Sequence, residues 1–141
     1  SLSDLYKKLA TYPVKGAYVF LDACFSGGYK SAAPLLAQKG VRVVPKVGLP
    51  QGNTLSFSSS SGDQTSSVYH EKKQGYYTYF LIKTIRDAKG NISMKELFDR
   101  TSAAVKRATA LIDKIQEPQC MASPTWIGWE DIKLETPVVT P

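Results

Sequence analysis

The order of apolar and polar positions predicts two strands separated by a long loop. Residues 17–21 form a continuous apolar run, Ala-Tyr-Val-Phe-Leu, which is typical of a strand buried on both faces of a parallel sheet. Residues 53–60 alternate and are rich in Thr, Leu, Phe and Ser, which predicts the next strand. Residues 29–52 are interrupted throughout by Pro and Gly, which indicates a loop.

Three segments carry the apolar period of amphipathic helices: 4–10 with Ser1 or Ser3 as its cap, one from Gly75 to before Gly90, and one from Ser93 to about Gln116. The last of these opens with Ser93 followed by Glu96, the pattern of a capping box. Residues 125–129 predict a final edge strand or a docked segment, and we expect the tail 136–141 to fray.

A helix that leads directly into a buried strand predicts an α/β fold with a parallel sheet. Such a sheet needs earlier strands, so we expect this chain to begin partway through its fold. We interpret residues 1–141 as one partial domain with four parts: a helix and strand (1–28), the loop (29–52), the remaining strands and two long helices (53–135), and the tail (136–141).

Composition and charge argue against several classes of protein. The net charge is +6, but the basic residues are scattered along the chain and form no aromatic-interleaved basic face, which argues against a nucleic-acid partner. No apolar run approaches the length of a membrane span. Two cysteines and a single histidine make no metal-type cluster, so we expect no metal and no cofactor.

The first strand ends abruptly in residues that carry chemistry. Asp22 and Cys24 follow the apolar run, and Ser26-Gly27-Gly28 then allows a sharp turn. A cysteine at the carboxyl end of a parallel strand lies where open α/β sheets place their ligands. The sequence Asp22-Ala-Cys-Phe-Ser-Gly27 resembles the nucleophile strand of the caspase-like cysteine peptidases of family C14, in particular the metacaspase and bacterial branch.

Further blocks extend the resemblance over nearly the whole chain, in the family's order: 57–66 (Phe-Ser-Ser-Ser-Ser-Gly-Asp-Gln-Thr-Ser), 74–81 (Gln-Gly-Tyr-Tyr-Thr-Tyr-Phe-Leu), 93–97 and 116–119. The resemblance implies a caspase-like three-layer sandwich with a mostly parallel sheet. This chain would be the larger, C-terminal part of the catalytic domain, with the N-terminal strands absent from it.

The resemblance also implies roles for individual residues. Cys24 matches the nucleophile of a Cys/His dyad, whose histidine lies in a His-Gly turn upstream of this sequence. His70 is the only histidine here and stands in no such turn, so we expect a surface residue. Cys120 follows Pro118 at a helix end, and we expect it to pack as a small apolar side chain.

Substrate contacts follow from the same resemblance. Asp22 matches a carboxylate that lines an S1 pocket for Arg or Lys; the alternative is a local role, capping N–H groups at the strand end. Ser66, with its neighbours Thr65 and Ser67, would pair with an extended substrate. Asp63 would be a second acid near S1, or only a turn residue.

We therefore expect a cysteine endopeptidase that cleaves peptides or proteins after Arg or Lys, with a companion fragment that carries the N-terminal strands and the dyad histidine. The loop contains Lys30, Lys39, Arg42 and Lys46, which such an enzyme could cut in itself. The calcium-dependent metacaspases that this chain resembles place several acids near and after the nucleophile strand, whereas no acidic residue lies between Asp22 and Asp63 here, so we do not expect calcium activation. The alternative is a catalytically inactive caspase-like scaffold or regulatory module.

Overall fold

The structure is a computed structural model that describes residues 1–22, 49–60, 68–72 and 74–134. These residues form three α-helices, α1 (Leu2–Ala10), α2 (Tyr76–Asp87) and α3 (Met94–Ala110), and five strands, β1 (Ala17–Leu21), β2 (Thr54–Ser58), β3 (Val68–Tyr69), β4 (Gln74–Gly75) and β5 (Gln119–Ala122). Two 3-10 turns are also present, at His70–Lys72 and Trp129–Asp131. None of the described helices is both long and apolar enough to cross a membrane.

The main sheet has the strand order β1-β2-β5. Strands β1 and β2 run parallel, with Ala17 opposite Thr54, whereas β5 runs antiparallel to β2, with Ala122 opposite Leu55. The described sheet is therefore mixed, with one parallel and one antiparallel pair. The α/β class is confirmed, and the mostly parallel sheet of a complete three-layer sandwich stays a prediction.

The two parallel strands differ in burial. Strand β2 is central, and its residues 54–57 are all buried. Strand β1 has a described neighbour only in β2, and of its residues only Val19 is buried, while Tyr18 and Phe20 are more than one-third exposed. The expectation that residues 17–21 are buried on both faces is therefore wrong for the described residues, since the face with Tyr18 and Phe20 is only partly covered.

Helices contact both faces of this sheet. Leu55 and Phe57 belong to the core cluster that α2 and α3 cover. Ser56 lies between them and points to the opposite face, where its Oγ accepts a hydrogen bond of 2.7 Å from the buried Tyr6 of α1. Helix α1 begins with a capping box between Ser1 and Asp4, which selects Ser1 from the two predicted caps.

Helix α3 begins as predicted but ends six residues early. The Ser93 hydroxyl accepts the Glu96 N–H at 3.2 Å, and the helix ends at Ala110 instead of near Gln116. Asp113 adopts a left-handed conformation with φ 54°, and the next N–H, of Lys114, bonds back to the Thr109 carbonyl at 3.0 Å. This turn closes the helix, because a non-glycine residue at positive φ cannot continue it.

The segment after α3 provides the third strand of the sheet, at Gln119–Ala122. Residues 125–129 form no strand, and of the two alternatives for them the docked segment is correct. Trp126 is buried and packs beside Tyr18, with ring centroids 5.9 Å apart. A Cβ added at Gly16 would lie 2.7 Å from the Trp126 ring, so the indole needs a glycine there.

Candidate active site

Asp22 directly follows strand β1, and its exposed side chain reaches the first turn of α2. The Thr78 hydroxyl donates a hydrogen bond to Asp22 Oδ2. Gly75 lies against the same oxygen, since a Cβ built there would be 2.6 Å from Oδ2. These two contacts join positions more than 50 residues apart and bring one sequence-predicted site residue to the start of a helix.

The start of α2 provides a favourable place for a carboxylate. Its N-cap, Gly75, has no side chain to bond the free N–H groups, and no acidic residue stands in the first turn. Helix N-termini carry unsatisfied N–H donors and partial positive charge, which favours a negative group nearby. Asp22 supplies that charge from another element. The described donor to Asp22 is a side-chain hydroxyl of α2, so the alternative expected for Asp22, capping of N–H groups at the strand end, stays a prediction.

A two-stranded hairpin leads the chain to this contact. Strand β3 pairs antiparallel with β4, so that Val68 lies opposite Gly75. The Tyr69 ring stacks on Tyr76 with centroids 4.6 Å apart and planes 3° apart, and Tyr79 meets it edge-on at 5.2 Å. These ring contacts fix the hairpin to the first turn of α2.

Two backbone hydrogen-bonding groups of Ser59 hold the chain in place just after β2. The Ser59 N–H donates to the Leu21 carbonyl at 2.9 Å, which holds the ends of β1 and β2 together. The buried Gln116 then donates from Nε2 to the Ser59 carbonyl, also at 2.9 Å. Because the two strands are parallel, their carboxyl ends lie at one edge of the sheet, and Gln116 supports that edge from the link between α3 and β5.

Cys24, Asp63 and Ser66 lie outside the described residues. In sequence, Cys24 follows the described Asp22 by two positions, and Asp63 and Ser66 stand between the described Ser60 and Val68. The roles assigned to these three residues therefore stay predictions. The structure describes the elements that flank them, and those elements converge on the edge of the sheet where Asp22 lies.

The other histidine and cysteine candidates have the surroundings expected of them. His70 is exposed on the 3-10 turn after β3. Cys120 is half-buried against the core opposite Phe57, as an apolar packing residue would be. Burial raises the pKa of its thiol to about 12. A thiol with that pKa is almost entirely protonated at neutral pH and is a poor nucleophile.

Tyr77 is a buried titratable residue in the first turn of α2, beside Thr78 in sequence. Its ring is buried, and burial raises the pKa of its hydroxyl well above the ordinary value, with smaller contributions from Cys120 and Asp22 in the same direction. The Tyr77 hydroxyl is thus neutral at physiological pH. Within the described ranges, no group of three His, Cys, Asp or Glu side chains is placed to hold a metal ion.

Gly75 and Thr78 are the residues near Asp22 that sequence reasoning missed. They were interpreted only as the start of a helix. The signal that could have found them is a helix with a glycine N-cap and no acidic residue in its first turn, because such a helix leaves N–H donors for a carboxylate from elsewhere.

Comparison with known proteins agrees with this arrangement. No curated protein matches the chain. A family model described as a caspase domain, of peptidase family C14, matches residues 1–125. That match includes β1, the sequence Asp22-Ala-Cys24 that follows it, the hairpin, and helices α1 to α3, and covers well over half of the chain. The chain therefore belongs to the caspase-domain family of C14 cysteine peptidases.

Proposed function

We propose that this protein is a cysteine endopeptidase that cleaves after Arg or Lys, with Cys24 as the nucleophile. Family membership supports the peptidase chemistry. The observation that carries the choice of a basic P1 residue is the position of Asp22. Its exposed carboxylate stands at the carboxyl end of β1, two residues before Cys24, at the edge where α/β sheets bind ligands.

The charge around Asp22 fits a cationic side chain. None of the ion pairs between described residues involves this carboxylate. Among the described residues, its donor is the uncharged Thr78 hydroxyl. A guanidinium or ammonium group of the substrate would pair its positive charge with this carboxylate. Asp63 and Ser66 belong to the proposal as a second acid near P1 and as a residue that pairs with the extended substrate backbone.

The proposed reaction is acyl transfer through the cysteine. The Cys24 thiolate would attack the carbonyl carbon of the P1 residue, the C–N bond to the next residue breaks, and the amine leaves with a proton from the dyad imidazolium. Water, deprotonated by the same imidazole, then hydrolyses the thioester and regenerates the thiolate. The histidine would come from a segment outside this sequence, on the companion fragment.

The test compares the two cysteines in the full-length protein. We expect an arginyl chloromethyl ketone to alkylate Cys24 within minutes, and Cys24→Ala to abolish both labelling and cleavage of arginyl and lysyl peptides. Cys120→Ala is the matched control and should leave both unchanged. At pH 8, with a pKa of about 12, roughly one Cys120 thiol in ten thousand is ionised, so iodoacetamide should modify it slowly until the pH exceeds 10.

Two results would contradict the proposal. Cleavage after Asp, with none after Arg or Lys, would keep the peptidase but reject the S1 assignment of Asp22. A full-length protein that neither reacts with the ketone nor cleaves any peptide would favour the alternative, an inactive scaffold.

Self-processing is the second part of the proposal. The candidate sites are Lys30, Lys39, Arg42 and Lys46, which lie outside the described residues, in the segment that the sequence predicts to be a loop. We expect intact-mass analysis of the incubated wild-type protein to show cuts after some of them, and the Cys24→Ala protein to stay whole under the same conditions. Cuts that also appear in Cys24→Ala would point to a contaminating protease.

A further inference from the structure

We infer that Thr78, in the first turn of α2, and Gly75, the N-cap of that helix, act as positioning residues that fix the Asp22 carboxylate for bidentate recognition of arginine. This inference rests on the proposed function, in which Asp22 binds the P1 side chain. It adds two residues, from an element distant in sequence, that set how well the site distinguishes Arg from Lys.

The two contacts restrain the carboxylate in different ways. Thr78 donates a hydrogen bond to Oδ2, which sets the direction of that oxygen. Gly75 lets the carboxylate approach the helix, because a Cβ there would be only 2.6 Å from Oδ2 and 3.4 Å from Oδ1. Thr78 attracts the carboxylate, and Gly75 leaves space for it. The hydrogen bond can be removed at Thr78 and the space filled at Gly75, independently of each other.

The restraint itself rests on a rigid base. Thr78 belongs to a helix whose first two residues, Tyr76 and Tyr77, are buried. Tyr76 stacks on Tyr69 of the hairpin, and Gly75 is paired with Val68 in the two-stranded sheet. The donor and the glycine therefore keep their places when the carboxylate is perturbed, which makes the carboxylate the part that moves.

A fixed Asp22 carboxylate should favour binding of an Arg side chain more than binding of a Lys side chain. A guanidinium is a planar fork that needs both carboxylate oxygens in one plane at the correct angle, whereas an ammonium is a point charge with freely rotating donors. A carboxylate that rotates freely still attracts Lys but loses part of its bidentate contact with Arg. Selectivity for Arg over Lys thus measures how firmly Asp22 is held.

The first test replaces Thr78. Thr78→Val keeps the shape and removes the hydroxyl, and we expect kcat/KM for an arginyl peptide to fall roughly tenfold, mostly through KM, as for loss of one hydrogen bond to a charged group. The lysyl peptide should change less than threefold. Thr78→Ser should restore the wild-type ratio. Thr84→Val is the matched control, because Thr84 lies on the same helix and its hydroxyl bonds the Phe80 carbonyl, away from Asp22.

The second test adds a methyl group beside the carboxylate, at Gly75. Gly75 has φ −64° and ψ 148°, which alanine adopts without strain. Gly75→Ala should therefore push the carboxylate away without distorting the backbone. We expect a loss of Arg-over-Lys selectivity at least as large as in Thr78→Val, with a melting temperature within a few degrees of wild type.

Binding measurements keep the inference testable without turnover. In the Cys24→Ala background, calorimetry with arginyl and lysyl peptides should show the same pattern in Kd. If Asp22→Asn abolishes binding of both peptides while Thr78→Val and Gly75→Ala behave as wild type, the inference is overturned and the proposed function stands. If Asp22→Asn changes nothing, the S1 assignment is wrong and the inference falls with it.

Discussion

Strands β1 and β2 are parallel neighbours in one sheet, yet they serve the fold differently. Residues 54–57 of β2 are buried by helices on one face and by α1 on the other, whereas β1 buries only Val19. The most buried strand carries none of the proposed site residues within its bounds. The more exposed strand is followed directly by Asp22, the carboxylate on which the proposed specificity depends. Stability and function are thus assigned to adjacent strands, and the hydrogen bond from Ser59 to Leu21 joins them.

Substitution of the stacked residues Phe57 (β2) and Phe20 (β1) should give the largest difference in stability between the two strands. Their rings are parallel with centroids 4.9 Å apart, but Phe57 is 1% exposed and Phe20 is 39% exposed. Phe57→Ala should lower the free energy of unfolding by about 3–5 kcal/mol, as for a large cavity in a core. Phe20→Ala should cost about 1–2 kcal/mol, because less area is removed from water.

Urea denaturation of both variants, followed by circular dichroism, measures this difference. Equal costs for the two substitutions would mean that β1 is as deeply buried in the native protein as β2, and the contrast between the strands would be lost.

Gln116 tests the support behind the edge of the sheet. Gln116→Leu leaves the buried Ser59 carbonyl without this donor, and we expect a cost of about 1–3 kcal/mol in stability. Because Ser59 is bonded to the end of β1, we also expect lower kcat/KM for basic peptides. Gln119→Leu is the control, since Gln119 is exposed and bonds only the nearby Glu117 carbonyl at 3.1 Å among the described contacts. If both variants unfold at the same urea concentration, Gln116 does not support the site.

Removal of the Tyr6 hydroxyl, which lies on the α1 face of β2, should have the smallest effect on stability. Tyr6→Phe removes the bond to Ser56 and should cost about 1 kcal/mol at pH 7. Burial raises the pKa of Tyr6 above its ordinary value of 10.0, so the native state keeps this proton longer than the unfolded state does. Stability should therefore fall as the pH rises above 10.

Denaturation at pH 7 and pH 11 separates the two contributions of Tyr6. The loss of stability between these pH values should be smaller in Tyr6→Phe than in wild type. Tyr12→Phe, at an exposed position, should reproduce the wild-type loss. A Tyr6→Phe protein with an unchanged alkaline loss would mean that the pH dependence comes from other groups, such as Tyr77.

Local patterns predicted the elements of this fold better than their ends and neighbours. The first and third helices begin at their serine caps because capping is a local interaction. The predicted end of α3 was wrong because Asp113 adopts a left-handed conformation, which the neighbouring sequence does not indicate. Strand β5 was missed because Gln119–Ala122 is short and mixed in polarity, and its register is set by β2.

In the candidate site too, local sequence patterns predicted some residues, whereas contacts between distant elements could not be predicted. Asp22 and Cys24 are recognisable because they stand together in sequence at a strand end. The contact of Asp22 with Gly75 and Thr78 joins separate elements, so no window of the sequence contains it. Gln116 is another such residue, because its partner Ser59 is 57 positions away.

The fit of the Trp126 ring over Gly16 has a consequence for how the sequence can change over time. A Cβ at position 16 would overlap the indole at 2.7 Å, so a side chain is tolerated there only if the ring becomes smaller or moves. Substitutions at the two positions should therefore be inherited together. Among descendants of this gene, we expect glycine at position 16 wherever tryptophan is kept at 126, and alanine or serine only beside a smaller residue.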